Sequence, residues 1–378
     1  MHTDTHIITI GYAGTLLEKH SRQFARLRQY ATLVHSFHAI VFSTKSTKPS
    51  VVTDGNFTVL GTHARTKLGK LWGAYRMVNA ALKDNPDATF IISAQDPFET
   101  SLVTRLFARH PRVTVHVQVH GDFFGSPYWR RESWLNRVRY WWGKRVVRRA
   151  SRIRVVSKRI KDSLIALGVP AARITVLPVQ GTLESFSPRD TYADTSPITF
   201  LYVGRFAAEK NILGILRAFK EARTAVPSCT LQLVGGGPEE DAIRTYITQH
   251  RLTEVVTITP WTEDVAPIMR AADVYVLNSW HEGHAMVLIE AMASGLPLIT
   301  TNVGCVGDTV QHAVHGHVIA PGDGAALTAA MIALASSYDT RVAYRTQGLA
   351  AAHTIAATPD AAYAEAWVDA LTADAEQV

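Results

Sequence analysis

The stretch from Ile198 to Asn211, ITFLYVGRFAAEKN, holds the pattern that decides the fold of this 378-residue chain. Its first six residues, Ile198 to Val203, form a short apolar run typical of a buried β-strand, and Gly204 ends it. A polar turn then leads into a helical stretch that begins at Asn211. A strand that passes through a short turn into a helix is the repeating unit of parallel α/β sheets.

The same alternation of short strands and longer amphipathic stretches recurs on both sides of this segment. Because parallel strands need crossover helices, it predicts two doubly wound, Rossmann-like sheets. The predicted strands are Ile7–Ile10, Ala39–Phe42, Phe57–Leu60, Phe90–Ile92, Val113–Val119, Ile153–Val156 and Ile174–Val179 in the first series, and Ile198–Val203, Leu231–Val234, Val255–Ile258, Val274–Asn278 and Pro297–Thr300 in the second.

A polar stretch with two prolines, residues 181–197, separates the two series. Such a composition is typical of a linker, and we interpret the stretch as a hinge. We therefore predict one domain over residues 1–180 and a second over residues 181–358. The tail, residues 359–378, is amphipathic and is predicted to be helical, with Trp367 and Leu371 on one face.

The composition is that of an ordinary globular protein. Apolar residues make up 47% of the chain and charged residues 19%, which excludes a largely disordered chain. No segment reaches the roughly 18 apolar residues of a membrane span, and the N-terminus lacks the basic region of a signal peptide. Cys229 and Cys305 can form at most one bridge and are expected to stay thiols. We therefore expect a cytoplasmic protein.

Arg205 and Lys210 lie five positions apart in the turn after the strand quoted above. Cations beside the unpaired N–H groups of a helix N-terminus can neutralise a diphosphate. The structural alternative is that both cations are exposed and that Glu209 caps the helix.

A pair of glutamates follows a later strand, in the stretch SWHEGHAMVLIEAMASGLP at residues 279–297. Glu282 lies in the loop and Glu290 two turns into the helix. Paired carboxylates at one end of a sheet suit the vicinal hydroxyls of a sugar and a ribose better than a second phosphate. In the alternatives, Glu282 caps the helix and Glu290 lies on a solvated face.

Taken together, these features resemble those of the family 4 retaining glycosyltransferases of GT-B fold. The resemblance also includes Gly295-Leu296-Pro297, Val176-Leu177-Pro178, Gly235-Gly236-Gly237-Pro238 and Pro321-Gly322-Asp323, and it covers nearly the whole chain. It implies an α/β architecture of two Rossmann-like domains that face each other across a cleft. The first is the acceptor-side domain, the second binds the nucleotide sugar, and the C-terminal helix returns to the first.

The family's residue roles can be transferred to matching positions. By resemblance, Arg205 and Lys210 bind the donor diphosphate, Glu282 binds the sugar hydroxyls and Glu290 the ribose. The residues expected to offer backbone contacts to the donor are Gly204, Gly283, His284, Ala285 and Met286, and the base contacts are expected around Trp261 to Asp264. Members of the family often have an aromatic residue and a glycine where this chain has His284 and Ala285.

In the first domain, Gly11 and Gly14 match the family's glycine loop after the first strand, and His120 matches a histidine that touches the donor sugar. Gln95, Asp96 and Asp122 follow first-domain strands and are expected on the acceptor side. The alternative for Asp96 is that it fixes a turn before Pro97.

No cofactor and no metal ion are expected. The chain contains no Asp-x-Asp triplet to hold a divalent cation on the phosphates, so the two cations would carry that role. His312, His315 and His317 resemble a metal-ligand cluster, but they lie in a loop that leads to a strand, and metal binding is not expected there. The glycines of residues 235–237 do not have the spacing of a dinucleotide fingerprint.

A basic segment from Arg130 to Lys161 contains thirteen Lys or Arg residues against one acid, Glu132. The spacing of Leu135, Val138, Trp142 and Val146 predicts one buried helix face, with Arg139, Lys144 and Arg148 pointing outward. Three interpretations remain open: a solvated face, a surface for anionic lipid in which cations attract and tryptophans anchor, and a nucleic-acid surface, which is the weakest because no binding module accompanies the charge.

The predicted activity is the transfer of a hexose-type sugar from a nucleoside-diphosphate donor to a glycan or lipid-linked acceptor, with retention of configuration. Cell-envelope or exopolysaccharide synthesis is the context that the resemblance implies. The alternatives are a sugar-nucleotide epimerase of GT-B fold and a catalytically silent sugar-nucleotide-binding protein.

Overall fold

The computed structural model describes residues 2–44, 50–194 and 197–372. The chain divides into two compact units, which are described separately. Unit 1 contains residues 1–178 together with residues 359–378, and unit 2 contains residues 179–358. Thr195, Ser196 and the end of the tail, residues 373–378, lie outside the described residues, so the predictions that include them extend past the described structure.

Unit 1 is built on a sheet whose strands follow the order β3-β4-β2-β1-β5-β6-β7-β8. All neighbours are parallel except the antiparallel pair β3 and β4. The strands are β1 (His2–Gly11), β2 (Val34–Val41), β3 (Val51–Asp54), β4 (Phe57–Gly61), β5 (Thr89–Ala94), β6 (Val113–Val119), β7 (Arg152–Val155) and β8 (Ile174–Val176).

Crossover helices cover the sheet of unit 1, and most begin at a serine or threonine whose hydroxyl accepts a hydrogen bond from a backbone N–H of the first turn. Such caps satisfy N–H groups that the helix itself leaves unpaired. The helices are α1 (Arg22–Ala31), α2 (Lys67–Asp84), α3 (Glu99–Phe107), α4 (Pro127–Glu132), α5 (Trp134–Arg149) and α6 (Lys158–Ala166), and Ser21, Thr66, Ser126, Ser133 and Ser157 are the caps.

The antiparallel strand β3 was not predicted. It joins β4 through a tight turn in which Gly55 has a φ of +62°. The sequence signal was present, because Gly55-Asn56 between two short runs of β-branched and aromatic residues is a typical two-residue hairpin turn. Val51 is exposed, so the strand lacks the apolar run by which the other strands were recognised.

Unit 2 is built on a parallel sheet of order β11-β10-β9-β12-β13-β14. The strands run from β9 (Thr199–Val203) through β10 (Thr230–Val234), β11 (Val256–Thr259), β12 (Val274–Leu277) and β13 (Leu298–Thr301) to β14 (Gly316–Ile319). The helices that cover them are α7 (Ile212–Ala225), α8 (Glu240–Gln249), α9 (Ala266–Ala271), α10 (Met286–Ala293), α11 (Gly324–Ser336) and α12 (Tyr338–Ala356). The prediction of two doubly wound sheets is confirmed.

The chain passes from unit 1 to unit 2 after Pro178, slightly before the polar stretch predicted as the hinge. Part of that stretch is fastened to unit 2. Leu183 is buried in its core, and the Arg189 guanidinium binds the Asp273 carboxylate at 2.5 Å. Tyr192 stacks on Tyr338. The polar composition therefore marks a segment that packs by ion pairs and aromatic contacts rather than a free linker.

The last described helix, α13 (Asp360–Thr372), returns to unit 1. Trp367 packs against Tyr30 with ring centroids 4.9 Å apart. The guanidinium of the buried Arg154 on β7 donates to the Tyr363 hydroxyl at 2.8 Å and to the carbonyl oxygens of Leu177 and Pro178. One side chain thus joins the returning helix to the segment by which the chain leaves unit 1.

The buried face of α5 differs from the prediction. Val146 and Val147 are buried as expected of a core face, but Val138 is 54% exposed. Arg139, expected to point outward, binds the Glu99 carboxylate of α3, and Arg148 donates from Nε to the Leu167 carbonyl oxygen at 2.7 Å. Only Val138 and Arg139 therefore depart from the prediction, since Leu135 and Trp142 are half-buried and Arg148 is exposed.

Candidate functional site

The conspicuous charged groups of unit 2 lie in the loops that follow β9 and β12. In a parallel sheet the carboxyl ends of neighbouring strands meet at one edge, and β9 and β12 are neighbours. Gly204 ends β9 with a φ of +157°, and a Cβ there would lie 2.8 Å from the Tyr202 hydroxyl oxygen. A side chain at this position would therefore displace the tyrosine beneath the loop.

Lys210 and Glu282 form an ion pair that joins the two loops. The Lys210 Nζ donates to Glu282 Oε1 at 2.5 Å, and the side chains are only 20% and 13% exposed. The Ser279 hydroxyl donates to the same carboxylate oxygen at 2.7 Å. The lysine thus links the loop after β9 to the loop that carries Glu282.

Arg205 is the more exposed cation of the site. Its side chain is 66% exposed, and its guanidinium binds the Glu209 carboxylate at 2.5 Å. Burial would raise the pKa of Glu209, but a hydrogen bond from its own backbone N–H, together with Arg205 and Lys210, lowers it. Glu209 therefore holds the arginine instead of capping α7, whose N-cap, Asn211, has left-handed backbone angles.

The two loops are also joined through their backbones and supported from below. The N–H of Trp280 donates to the Glu209 carbonyl oxygen at 2.8 Å. The buried Tyr202 donates its hydroxyl to the Arg205 carbonyl oxygen, and the buried Tyr275 donates to that of Val203. Burial raises the pKa of both tyrosines, so they remain protonated donors under the loop.

The start of α10 is shaped by an unusual backbone position. Ala285 is the N-cap and has φ and ψ of 61° and 57°, in the left-handed region that glycine prefers. His284 is buried, and its carbonyl oxygen accepts the N–H of Cys305 at 2.9 Å. A Cβ at Gly304 would lie 2.8 Å from that carbonyl oxygen, so the loop packs closely against residues 304–305. Gly283 and Met286 flank this turn.

Glu290 is half-buried in the second turn of α10. Burial raises the pKa of its carboxyl. No hydrogen bond or ion pair to this carboxylate occurs among the described residues. A carboxylate in such a position gains by accepting hydrogen bonds from a ligand that carries two hydroxyl donors.

Trp261, predicted near the nucleotide base, lies just after β11 with 63% of its surface exposed. The glycines after β10 face the first loop of the site. A Cβ at Gly235 would lie 2.0 Å from the Gly204 carbonyl oxygen, and one at Gly237 would lie 2.5 Å from that of Phe206. The glycine run is therefore a close approach between two backbones.

In unit 1, Gly11, Gln95 and His120 come together at the ends of β1, β5 and β6. A Cβ at Gly11 would lie 2.8 Å from Gln95 Cγ, and His120 Nε2 lies 3.3 Å from Gln95 Oε1. Burial, together with the charges of Arg154 and Arg26, lowers the pKa of His120 to about 3. The imidazole is therefore neutral near pH 7, where it can form hydrogen bonds but carries no positive charge. Gly14 opens a short 3₁₀ turn beyond β1.

The acidic residues predicted on the acceptor side are engaged in turns. Asp96 accepts the Phe98 N–H at 2.7 Å and the Thr100 hydroxyl at 2.8 Å, as in its structural alternative. Burial raises the pKa of Asp96, and the two hydrogen bonds offset only part of this increase. Asp122 accepts the Gly125 N–H at 2.9 Å. These hydrogen bonds do not test whether Asp96 or Asp122 binds the sugar acceptor, so that role stays a prediction.

The histidines of residues 312–317 support a turn. His315 Nδ1 accepts the Gln311 N–H at 3.0 Å, and His312 Nδ1 accepts the Val318 N–H at 3.1 Å. Within residues 2–44, 50–194 and 197–372, no group of three or more His, Cys, Asp or Glu is placed to hold a metal ion. Both cysteines are buried free thiols. In the same residues, no helix is both long and apolar enough to cross a bilayer.

Four residues that shape the site were not singled out from the sequence as part of it. Ser279 and Glu209 hold the two charged partners, and Tyr202 and Tyr275 support the loop from the core. A tyrosine within an apolar strand usually packs in the core, so its position in the sequence gives no indication that it supports a functional loop. Glu209 did carry one, since it lies four positions from Arg205.

Two family models match the sequence, one over each half. The model described as "Glycosyl transferases group 1" matches residues 185–350, and "Glycosyl transferase 4-like domain" matches residues 21–180. Together they span most of the chain.

Curated relatives match about half of the chain. Glycogen synthase of Mycobacterium tuberculosis is 32% identical over 206 residues, 53% of this chain and 46% of that protein. The UDP-Gal:alpha-D-GlcNAc-diphosphoundecaprenol alpha-1,3-galactosyltransferase of Escherichia coli is 28% identical over 236 residues, 58% of this chain and 60% of that protein. The chain thus spans about half the length of the curated relatives it matches.

Solved structures match nearly the whole chain at low identity. Sucrose-phosphate synthase of Thermosynechococcus elongatus superposes with a TM-score of 0.77 at 19% identity, covering 96% of this chain and 98% of that one. Anabaena HepE, solved in complex with UDP and glucose, gives a TM-score of 0.72 at 18% identity, with coverage of 97% and 99%. These likenesses concern the fold.

Proposed function

Since the chain belongs to the family 4 glycosyltransferases, the glycosyl transferases group 1, and has their GT-B fold, we propose that it moves a hexose-type sugar from a nucleoside-diphosphate donor to a glycan or lipid-linked acceptor with retention of configuration. The family and the fold class predicted from the sequence are both confirmed. The observation that carries the proposal is the Lys210–Glu282 ion pair between the loops after β9 and β12.

The pair offers a way to bind a charged leaving group at little cost in rearrangement. Lys210 Nζ has three N–H donors, and one is used by Glu282. A diphosphate beside it would accept the others, while Arg205, exposed and held by Glu209, adds a second cation. Cations fixed in place stabilise the negative charge that grows on the diphosphate as the glycosidic bond to it breaks.

The two glutamates fit the neutral parts of such a donor. Glu282 is held by Lys210 and Ser279, which leaves its other carboxylate oxygen for sugar hydroxyls. Glu290, half-buried and without a described partner, suits the two hydroxyls of a ribose. The turn at Gly283, His284, Ala285 and Met286 lies between them and would direct backbone N–H groups to sugar and phosphate.

Retention would proceed by displacement on the same face, with a donor phosphate oxygen taking the proton of the acceptor hydroxyl. The bond from the anomeric carbon to the phosphate oxygen breaks, the bond to the acceptor oxygen forms, and the proton leaves with the nucleoside diphosphate. In this scheme the protein supplies position and charge and no nucleophile. The cations take the place of a divalent ion, so transfer is expected to persist in excess chelator.

Product analysis tests the proposal and separates it from its alternatives. With UDP-sugars and a candidate acceptor, a glycosyltransferase yields a glycosylated product whose anomeric configuration is read by NMR. An epimerase would convert the sugar without an acceptor, and a silent binding protein would only show a thermal shift with nucleotide. Inversion of configuration, or activity that EDTA abolishes and Mg²⁺ restores, would contradict the proposed mechanism.

We further propose that unit 1 meets an anionic membrane surface through the exposed face of α5, which would place the enzyme at the inner face of the membrane. This face presents Trp134, Val138 and Trp141, exposed by 74%, 54% and 61%, with the exposed Arg137 and Arg145 between and beside them. Tryptophans flanked by cations suit the interface of an anionic bilayer.

Vesicle cosedimentation tests this surface. Replacing Trp134 and Trp141 by Ser, or Arg137 and Arg145 by Gln, should release the protein from phosphatidylglycerol vesicles, and salt should weaken the binding of the wild type. Trp72→Ser, which removes an exposed tryptophan from α2, is the matched control. Failure of the wild type to bind at low ionic strength would leave the segment as a solvated face.

A further inference from the structure

Unit 2 contains a cavity that the proposed transfer reaction does not use. It lies between α7 and α11, is also lined by the loop after β12, and has a volume of about 380 Å³. This volume falls in the range of small-molecule sites, about 300–1,000 Å³. Lys210 and Glu282 do not line it, although their neighbours Asn211 and Trp280 do.

Two amides form the polar floor of the cavity. Asn278 is only 4% exposed, and its side chain donates to the Asn211 carbonyl oxygen at 3.3 Å. Within the described part of the chain, no group donates to Asn278 Oδ1, and the Asn211 side chain has no hydrogen-bond partner. The Asn278 acceptor and the Asn211 amide are therefore available for hydrogen bonds with a molecule in the cavity. Each of the two side-chain amides can both donate and accept hydrogen bonds, and both face the same cavity.

Small residues keep this floor open. A Cβ at Gly214, on α7, would lie 2.6 Å from Asn278 Nδ2 and 2.7 Å from Asn211 Nδ2. Opposite, Gly322 has a φ of +86°, and a Cβ there would lie 2.8 Å from the Trp280 ring. Because Gly214 and Gly322 have no side chains, the two amides and the Trp280 indole are all accessible from the cavity.

The remaining walls carry charges of both signs. Arg217 and Glu221, one turn apart on α7, line the cavity with the Thr328 hydroxyl of α11. Glu221 disfavours a phosphate or carboxylate, and Arg217 disfavours a cation. Mixed donors and acceptors beside an aromatic ring match a sugar, whose C–H groups contact the ring while its hydroxyls both give and take hydrogen bonds.

We propose that this cavity is an accessory site for a neutral sugar unit of a carbohydrate chain, separate from the donor site. The inference goes beyond the transfer activity and does not depend on it. Such a site would keep a glycan on unit 2 independently of the nucleotide.

Saturation-transfer NMR tests the proposal with methyl glycosides of glucose, galactose and N-acetylglucosamine and with maltoheptaose, in saturating UDP. The test variant is Gly324→Phe, because Gly324 lines the cavity and a Cβ there meets nothing within 4 Å, so a large side chain can be added at the cavity wall. Ala333→Phe, at an exposed position of α11 outside the cavity, is the matched control.

We expect at least one probe to bind the wild type and the control, and to bind Gly324→Phe at least about tenfold more weakly. Thermal unfolding and UDP binding should be the same in all three proteins. Absence of binding by every probe, equal binding by Gly324→Phe, or displacement of the sugar by inorganic phosphate would overturn the proposal. Failure of UDP to bind would contradict the proposed function and leave the sugar result standing.

Discussion

The polar groups at the strand ends of the two units differ in kind. In unit 2, Lys210 and Arg205 are cations held by carboxylates at 2.5 Å, and both can contact solvent. In unit 1, His120 is a neutral imidazole bonded to a neutral amide, and the Asp96 carboxylate is taken up by its own turn. The same sheet architecture therefore carries a charged edge in one unit and a neutral one in the other.

This difference indicates a division of labour. A lysine or arginine that is paired with a carboxylate still has further N–H groups, so it can keep that partner and also bind a ligand phosphate. A half-buried neutral histidine such as His120 can hydrogen-bond a ligand hydroxyl without carrying charge. Under the proposed function, unit 2 would bind the diphosphate and unit 1 would orient uncharged groups of the sugar or the acceptor.

The strongest test of the charged edge is the removal of its cations. Lys210→Ala should lower transfer by about two to three orders of magnitude, the usual loss when a charge-stabilising donor is removed. Arg205→Ala should cost less than Lys210→Ala, because the Arg205 side chain is far more exposed. Steady-state kinetics with a UDP-sugar measures both.

Lys220→Ala is the control for this pair, since Lys220 is an exposed lysine of the same helix region that contacts only His250 among the described residues. It should leave kcat and KM unchanged. Full activity in Lys210→Ala would contradict the assignment of the charged edge to the leaving group.

A second test concerns the carboxylate proposed for the ribose. Glu290→Gln should weaken UDP binding by about tenfold, because a charged acceptor is replaced by a neutral one. Burial raises the pKa of Glu290, so UDP affinity of the wild type should fall on acidification at a higher pH than an exposed glutamate would require. Calorimetry at several pH values measures both effects.

In Glu290→Gln this pH dependence should be absent, and Glu254→Gln, at an exposed position after α8, should behave as the wild type. A pH dependence that survives in Glu290→Gln would assign it to another group.

The neutral edge can be tested by acid stability. Burial, together with neighbouring positive charge, lowers the pKa of His116 and His120 to about 3, whereas histidine in the unfolded chain titrates near 6.5. Between these values the unfolded state binds more protons, so the free energy of unfolding should fall as the pH is lowered from 6.5 toward 3. Each histidine contributes a slope of up to about 1.4 kcal/mol per pH unit.

Urea unfolding across this window should show a shallower slope for His116→Gln than for the wild type, whatever the stability of the variant at pH 7. His20→Gln, which changes an exposed histidine of unit 1, should keep the wild-type slope. Identical slopes in all three proteins would mean that the buried histidines do not govern acid unfolding.

The smallest expected effect concerns the backbone of the charged edge. Ala285 has left-handed angles, so Ala285→Gly should stabilise the chain by up to about 1 kcal/mol by removing the Cβ conflict. Ala329→Gly, in the exposed interior of α11, should destabilise it by about 1 kcal/mol, because there the helical conformation favours alanine. Thermal unfolding measures both effects. A loss of stability in Ala285→Gly would show that the backbone at Ala285 is not strained.

Much of this architecture was predictable because it depends on local patterns. The strands from β9 to β13 are readable from apolar periodicity, and the cations at 205 and 210 and the glutamates eight positions apart from spacing along one chain, whereas β14 was not among the predicted strands. The strand β3 was missed because its edge position requires no apolar run. The buried face of α5 was predicted wrongly at two positions, because Val138 is exposed and Arg139 pairs with Glu99 of α3, a contact between helices that spacing within one helix does not encode.

By itself the sequence determined which elements form, in what order, and which residue types follow each strand, since these depend on contacts within a few positions. Only the tertiary structure decided which carboxylate holds which cation, because Lys210 and Glu282 are 72 residues apart and meet only when β9 and β12 pair. It also decided that His120 is neutral, because its pKa depends on burial and on charges from distant elements. Protonation and pairing are properties of the packed environment, and sequence spacing does not encode them.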